Sequence, residues 1–428
     1  MQTIKSLEDL DNLNILFDER WTHEKTGLSM HSLHAYPAKF PSFIASEAFE
    51  YAKEEGVNVS SAADMFCGCG TTALEAKVRG INFWGCDINP VAVLITLAKT
   101  GDYCLESIEQ HFKDIIALFD SGKLSEDNAY SIANERLKYW FDKDCYIQLS
   151  TLNNCIYTVI GSDYKNEFLF FQCIFSSILK TCSKWLQKSI KPQIDPSKHA
   201  TNVIKEFTYK YKLAYTAVKQ MIDKEYPYPK QITIVQGNFL EYREVPNVDL
   251  IITSPPYVTS YEYADLHQLS SLWLKYTDDY KELRKGTIGS RHISKETDIG
   301  TLKLNNTAIG IIDSLTKKGC KSSQKKPVAM YYSDMQKVVK KSYEMLNKNG
   351  MIVFVIGDSE LMGVKLQNSR HLIESMILEG FHNIKISKRE VSKGICVPYR
   401  DAKGKFTYQS NARNEIYHEE YIISGRKH

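Results

Sequence analysis

A doubly wound α/β fold, a mostly parallel sheet with helices on both faces and a largely helical insertion, is the architecture the sequence predicts. Three observations carry it. Residues 61–100 read strand, Gly-rich turn, helix, strand, helix, at the spacing of a βαβ unit. The same alternation resumes at residue 231. Between the two, residues 106–228 are rich in Lys and Tyr, patterned as helices, with few strand signals.

The elements follow in order. Residues 42–55, "SFIASEAFEYAKEE", form an amphipathic helix. "SAADMF" is a short apolar strand, "CGCGTT" a glycine turn, and "ALEAKVRG" a helix ending at Gly80. "NFWGCD" and "INPVAVLITLAKT" repeat the strand–helix step. The insertion holds long, partly buried helices such as "EFLFFQCIFSSILKTCSKWLQKSI", punctuated by the Pro-containing loop "KPQIDPSKH". "QITIVQGNF" and "VDLIITSPPY" are the next strands, and "YADLHQLSSLWLKY" is helical. Residues 280–328, polar and rich in Lys, Gly and Ser, read as a long mobile loop. "MYYSDMQKVVKKSYEMLNKNG" is a helix capped by Gly350, and "MIVFVIGDS" a strand. "LQNSRHLIESMILEGF" is a helix, and "HNIKISKRE" and "NEIYHEEYIISGRK" close the chain as a pair of strands. The expected organisation is a cofactor-binding half over 1–105, an insertion over 106–228, and a catalytic half over 229–428.

Composition narrows the classes. With 428 residues, 43% hydrophobic and 25% charged, the chain can bury a large core, which excludes global disorder. The formal net charge of +3 says little about partners, but its distribution says more. Between Ser176 and Lys230 there are 11 Lys against 4 Asp and Glu, 11 − 4 = +7, a candidate phosphate-facing surface. The ten Cys show no disulfide framework and no zinc spacing, so reduced thiols and a cytoplasmic location are expected. "MQTIKSLEDLDN" lacks the apolar core of a signal peptide, and no run approaches the ~18–20 apolar residues of a membrane span.

Two stretches carry chemistry. In the glycine turn, Gly68 and Gly70 permit a tight turn and close approach of a ligand to backbone N–H groups. Asp87 ends the next strand, where an acid bonds the ribose hydroxyls of an adenosine-type ligand. The turn is shorter than G-x-G-x-x-G, and no G-x-x-x-x-G-K-[ST] follows, which excludes a P-loop. The second stretch is Ser254-Pro255-Pro256-Tyr257, closing an apolar strand. Two prolines stiffen the strand exit and remove two N–H donors. A Ser oxygen and a proline carbonyl can then accept hydrogen bonds from an exocyclic amino group, and the Tyr ring offers a face on which a planar base can stack.

Together these motifs resemble the S-adenosylmethionine-dependent DNA amino-methyltransferases of restriction-modification type. "DMFCGCGTT" resembles their cofactor motif, "GCDINP" their ribose motif, "TSPPY" their catalytic motif, and "HSLHAYPAKFP" the segment closing over the methionine end of the cofactor. The match covers residues 31–100 and 229–358. The resemblance implies a seven-stranded, Rossmann-like methyltransferase sheet with S-adenosyl-L-methionine as cofactor and no metal. It places Tyr36, Pro37, Lys39 and Phe40 in the closing segment, and Asp64, Phe66, Gly68, Gly70, Thr71 and Thr72 in the cofactor motif. Asp87, Ile88 and Asn89 belong to the ribose motif, and Asn238 and Phe239 to the adenine end, where the family often has Asp in place of Asn238. Ser254, the Pro255 carbonyl, Pro256 and Tyr257 form the catalytic set. Ser before Pro-Pro-Tyr is most typical of N4-cytosine enzymes. Double-stranded DNA and a paired restriction endonuclease are the implied partners. A base in a duplex must be extruded to reach such a pocket. The insertion is the candidate recognition region, and "KGTIGSRH" (285–292) a candidate DNA-contacting loop.

Other chemistries fit less well. No Pro-Cys is present for attack at cytosine C5. His31 and His34 make one close pair, expected to be cofactor-side or structural rather than metal-binding. Ser359 lacks the G-x-S-x-G frame. An N6-adenine enzyme and an RNA amino-methyltransferase share the Pro-Pro-Tyr logic and stay open. A non-catalytic nucleic-acid binder predicts damaged motifs, and here they are intact.

Overall fold

The computed structural model describes the chain except residues 23–26, 125–127, 162–164, 200, 228, 259–261, 293–297, 392–398, 401–413 and 416–418. Along the chain, β1 (Gln2–Ile4) and α1 (Leu7–Asn12) precede α2 (Ser42–Glu54), β2 (Ser61–Asp64), α3 (Thr71–Lys77), β3 (Asn82–Asp87) and α4 (Pro90–Thr100). The insertion comprises α5 (Leu105–Asp120), α6 (Glu135–Trp140), α7 (Lys143–Ile160), α8 (Lys165–Cys182) and α9 (Val203–Asp223). Then come β4 (Ile232–Gln236), β5 (Val248–Thr253), α10 (Tyr263–Leu266), α11 (Gln268–Trp273), α12 (Asn306–Lys317), α13 (Ser322–Met345) and β6 (Leu346–Ile356). A short ribbon, β7 (Ser359–Leu361) and β8 (Val364–Leu366), leads to α14 (Asn368–Leu378) and β9 (His382–Glu390). A second ribbon, β10 (Tyr399–Arg400) and β11 (Asn414–Glu415), precedes β12 (Glu419–Arg426).

The main sheet runs β1-β9-β12-β6-β5-β2-β3-β4. Strands β4, β3, β2, β5 and β6 are parallel neighbours, and β12 pairs antiparallel with both β6 and β9. The order reverses between β2 and β5, and a crevice opens outside the carboxyl ends of strands at such a point. Those two strands carry the glycine turn and Ser-Pro-Pro-Tyr. Period-two alternation explains the double covering. Ala62, Leu250, Ile252, Val353 and Val355 pack with α2 and α3, whereas Ala63, Ile251, Ile352 and Phe354 pack with α13 and α14.

The insertion lies between β3 and β4 and does not build a core of its own. Phe170, Phe171 and Ile174 of α8 join one buried cluster with Leu94 and Ile95 of α4 and Trp273 of α11. Inside it, Phe112 and Tyr211 stack with centroids 3.7 Å apart.

Three expectations are corrected. The main sheet has eight strands rather than seven, because β1 adds to the outer edge of β9. Its three residues are too short for a sequence period, and it is held by pairing and by buried Ile4. Within 280–328, residues 306–317 are a helix. Ala308, Ile311 and Leu315 bury one face, Asn305 caps the Ala308 N–H at 3.0 Å, and the Glu374 carboxylate accepts the N–H groups of Asn306 and Thr307. Residues 293–297 of that stretch lie outside the described residues. Finally, α13 starts at Ser322 and ends at Met345, before Gly350; the left-handed residue there is Asn349, at φ +62°, inside β6.

Candidate active site

The glycine turn is shaped by what its neighbours leave no room for. Gly68 and Gly70 have φ of +50° and +75°. A Cβ on Gly70 would lie 2.6 Å from Thr96 Cγ2 and 2.7 Å from Thr96 Oγ1, so only glycine fits. Asp87, reaching across from β3, holds the turn: its Oδ2 accepts the Gly68 N–H at 2.8 Å and its Oδ1 the Asn89 N–H at 2.9 Å. Enclosure of the carboxylate raises its pKa to about 6, against the opposing pull of those two N–H groups. A carboxylate offers about four acceptor sites, so two backbone bonds leave capacity for a ligand hydroxyl. Ile88 follows it and is half-buried.

Asp64, Thr71 and Thr72 lie beneath this surface rather than on it. Asp64 accepts from Thr253 Oγ1 at 2.6 Å, the Phe66 N–H at 3.0 Å and Thr72 Oγ1 at 3.0 Å, tying β2 to β5 and α3. Burial raises its pKa to about 6. Thr71 donates to the Phe40 carbonyl at 3.1 Å, fastening residues 34–41 over α3. Phe66, Gly68 and Pro37 stay half-buried at the cleft.

Residues 31–40 form a strap bound at both ends. His31 Nε2 meets Glu75 Oε1 at 2.9 Å, and Lys39 Nζ donates to the His31 carbonyl at 3.0 Å. His34 Nε2 meets Ser176 Oγ of α8 at 2.9 Å, and Ser176 donates to Ser270 of α11 at 2.7 Å. Burial holds His34 neutral, its pKa lowered to about 4. The two histidines thus have different, structural partners, and no metal-ligating group of three occurs among the described residues. Between them and the turn lies Tyr36. It stacks on Tyr263 at 6.0 Å and leans on His267 at 4.8 Å. Its Cε1 lies 3.7 Å from where a Gly68 Cβ would stand. His267 Nδ1 meets Asn89 Nδ2 at 2.6 Å, and burial lowers its pKa to about 3. Sequence reasoning missed His267, a lone histidine in a helical segment with no motif around it.

Ser254 follows β5 directly. It is half-buried. Pro255 is buried, while Pro256 and Tyr257 keep exposed edges. The Tyr257 ring lies against Gly357, where a Cβ would stand 3.0 Å from Cε2. Its hydroxyl donates to Glu420 Oε1 of β12 at 2.7 Å. Burial and that carboxylate push the phenol well above its ordinary pKa, so it stays neutral.

At the far end, Asn238 Oδ1 accepts the Leu240 N–H at 2.9 Å and Nδ2 donates to the Gly286 carbonyl at 3.1 Å. The "KGTIGSRH" loop is therefore fastened to the cleft. Gly286 sits beside Ile88, Gly289 beside the Tyr257 carbonyl, and Ile288 is buried. Phe239 faces away from the cleft: it is 2% exposed, between Trp84 at 6.2 Å and Lys341 Nζ at 4.6 Å. A surface cavity of about 800 Å³ lies between α12, the β7–β8 ribbon and the start of α14, and contains none of these residues.

No protein-family model matches the chain. It is similar to Type II methyltransferases. M.MvaI of Kocuria varians is 24% identical over 359 residues, covering 77% of this chain and 76% of that protein. M.BsoBI of Geobacillus stearothermophilus is 25% identical over 286 residues, covering 60% of this chain and 54% of that protein. Among solved structures, the rRNA methyltransferase aviRa from Streptomyces viridochromogenes gives a TM-score of 0.31 at 9% identity, covering 93% of this chain and 90% of that one. That likeness is too loose to carry an argument, and the fold rests on the sheet order itself. Both of these relatives are Type II methyltransferases.

Proposed function

We propose that the chain methylates the N4 amino group of a cytosine at a specific site in duplex DNA, as the modification enzyme paired with a restriction endonuclease. The observation that carries this reading is Ser254, half-buried at the exit of the strand next to the glycine turn, three residues ahead of the seated ring of Tyr257. The resemblance and the two curated relatives support the restriction-modification context.

The residues fit S-adenosyl-L-methionine on the structure's own terms. The half-buried Gly68 leaves the turn's backbone open at the cleft, and the Asp87 carboxylate beside it has acceptor capacity beyond its two backbone bonds. Asp87 would hold the ribose hydroxyls, Phe66 and Ile88 would flank the purine, and Lys39 would face the methionine end under Tyr36. When bound, the cofactor supplies a methyl group on a positively charged sulfur. The chain's own work is positioning. Ser254 Oγ and the Pro255 carbonyl accept the two N–H bonds of the amine, which aims its lone pair, and Tyr257 holds the extruded ring flat. Extrusion costs a few kcal/mol. Phosphate contacts from the insertion and from the loop at 285–292 offset part of it.

Purified protein, labelled S-adenosylmethionine and unmethylated duplex DNA, followed by nucleoside mass spectrometry, test the reading. N4-methylcytosine is the expected product. N6-methyladenine would keep the mechanism and move the target base; label on RNA alone would overturn the DNA assignment.

A further inference from the structure

Resting on that reading, we infer that Glu420 is a positioning residue for catalysis: with Arg389 it fixes the Tyr257 ring in the attitude that receives the target base. Three observations lead there. The Glu420 carboxylate divides its two oxygens. Oε1 accepts the Tyr257 hydroxyl at 2.7 Å, and Oε2 accepts Arg389 Nε at 2.7 Å and pairs with its Nη2 at 2.7 Å. Arg389 is 5% exposed, stands directly across from Glu420 in the β9–β12 pairing, and lies 5.7 Å from the ring of Phe43. It is therefore held by packing and orients the carboxylate. The β12 strand runs antiparallel to β6, so its first residues reach the carboxyl edge of the parallel strands, where β5 delivers Ser254.

The physical need is plain. A stacking ring held only by its Cα–Cβ and Cβ–Cγ bonds can swing and tilt. Gly357 gives one face room and a floor, with 3.0 Å between Tyr257 Cε2 and the position of a Cβ on that glycine. An acceptor fixed at the hydroxyl pins the far end. The glycine contact at Cε2 and Cζ and the hydroxyl bond both act at the phenol end, and with the Cα–Cβ anchor at the other end they leave one attitude. Burial, together with the same carboxylate, keeps the phenol protonated, so the platform stays neutral while a base stacks on it. A buried arginine and a cross-strand carboxylate aimed at one part-buried hydroxyl would be a costly way merely to join two strands already paired along their backbones.

Steady-state kinetics on DNA with labelled cofactor separate this role from a structural one. Glu420→Ala is expected to lower kcat about 10- to 100-fold with the cofactor KM unchanged. Glu420→Gln, which keeps an acceptor oxygen, should recover most of the loss. Tyr257→Phe removes the same bond from the other side and should lower kcat about 10-fold. Combined with Glu420→Ala it should be no worse than the weaker single variant. Full turnover in Glu420→Ala or Tyr257→Phe, losses that multiply in the pair, or a parallel rise in cofactor KM would each overturn the inference. If Glu420→Ala does not fold, Glu420→Gln and Tyr257→Phe decide it. An inactive wild-type enzyme would remove the proposed function and this inference together, whereas an active enzyme indifferent to Glu420 removes the inference alone.

Discussion

Asp87 and Ser254 divide the work at the residue scale. Asp87 already bonds Gly68 and Asn89, and the proposed ribose contact uses its remaining lone pairs. Hydrogen bonds to a charged group contribute about 1.5–3 kcal/mol, so Asp87→Ala should weaken cofactor binding by about 10- to 100-fold. Equilibrium binding measures this, and unchanged affinity would remove Asp87 from the site. Ser254→Ala and Tyr257→Ala should do the reverse, lowering turnover about 100-fold while cofactor affinity holds; an equal loss of binding would contradict the roles assigned to them. A pH dependence follows from the raised carboxylate. Asp87 titrates near pH 6 in the folded chain, so its acceptor capacity, and with it cofactor affinity, should fall as pH drops through about 6. The linked stability has the opposite sense. Asp64 and Asp87 rise from 3.8 to about 6 on folding, so their contribution to stability is present below about 4 and lost as pH rises through 6. Cofactor titrations between pH 5 and 8 check the first trend, and affinity that does not change across that range contradicts it.

At the element scale, the tightest constraint is the passage from β2 into α3. Gly70→Ala forces a left-handed residue into a gap 2.6 Å from Thr96 Cγ2. The conformational term alone is about 1–2 kcal/mol, and repacking Thr96 adds to it. Thermal unfolding should show the loss, and a Tm equal to wild type would contradict the packing. The same scale shows what was legible in the sequence. The glycine turn, Asp87 and Ser-Pro-Pro-Tyr each lie inside a continuous strand–turn segment, where period and punctuation are local. Glu420 and His267 were not legible, because their partners lie 163 and 178 residues away and neither sits in a motif. The polar residues on either side hid α12, although its own Ala308, Ile309, Ile311, Ile312 and Leu315 are apolar, and its capping comes from Asn305 and the distant Glu374. Asp64 and Thr72 were expected as ligand contacts; their bonds run into the sheet, to each other and to Thr253.

For the whole molecule, the lysine-rich insertion is part of the fold and offers a surface. Not every lysine in it is available. Lys180 donates to the carbonyls of Gln187 and Ser189, and Lys198 to those of Lys180 and Trp185. Lys205, Lys212 and Lys219 are exposed on α9 at seven-residue spacing, two helical turns apart, so they share a face. If that face meets phosphates, replacing all three with Ala should flatten the salt dependence of DNA binding by up to ~3 in the log–log slope, without changing cofactor affinity. An unchanged slope would move the DNA surface elsewhere. Because α8 shares its core with α4, and His34 of the strap bonds Ser176 of α8, the insertion and the cleft are packed as one body.

The most direct test of the central claim is the nucleoside composition of duplex DNA after incubation with the purified chain and labelled S-adenosylmethionine. The account predicts labelled N4-methylcytosine, abolished in Ser254→Ala. DNA left without label by a folded, cofactor-binding protein would contradict it.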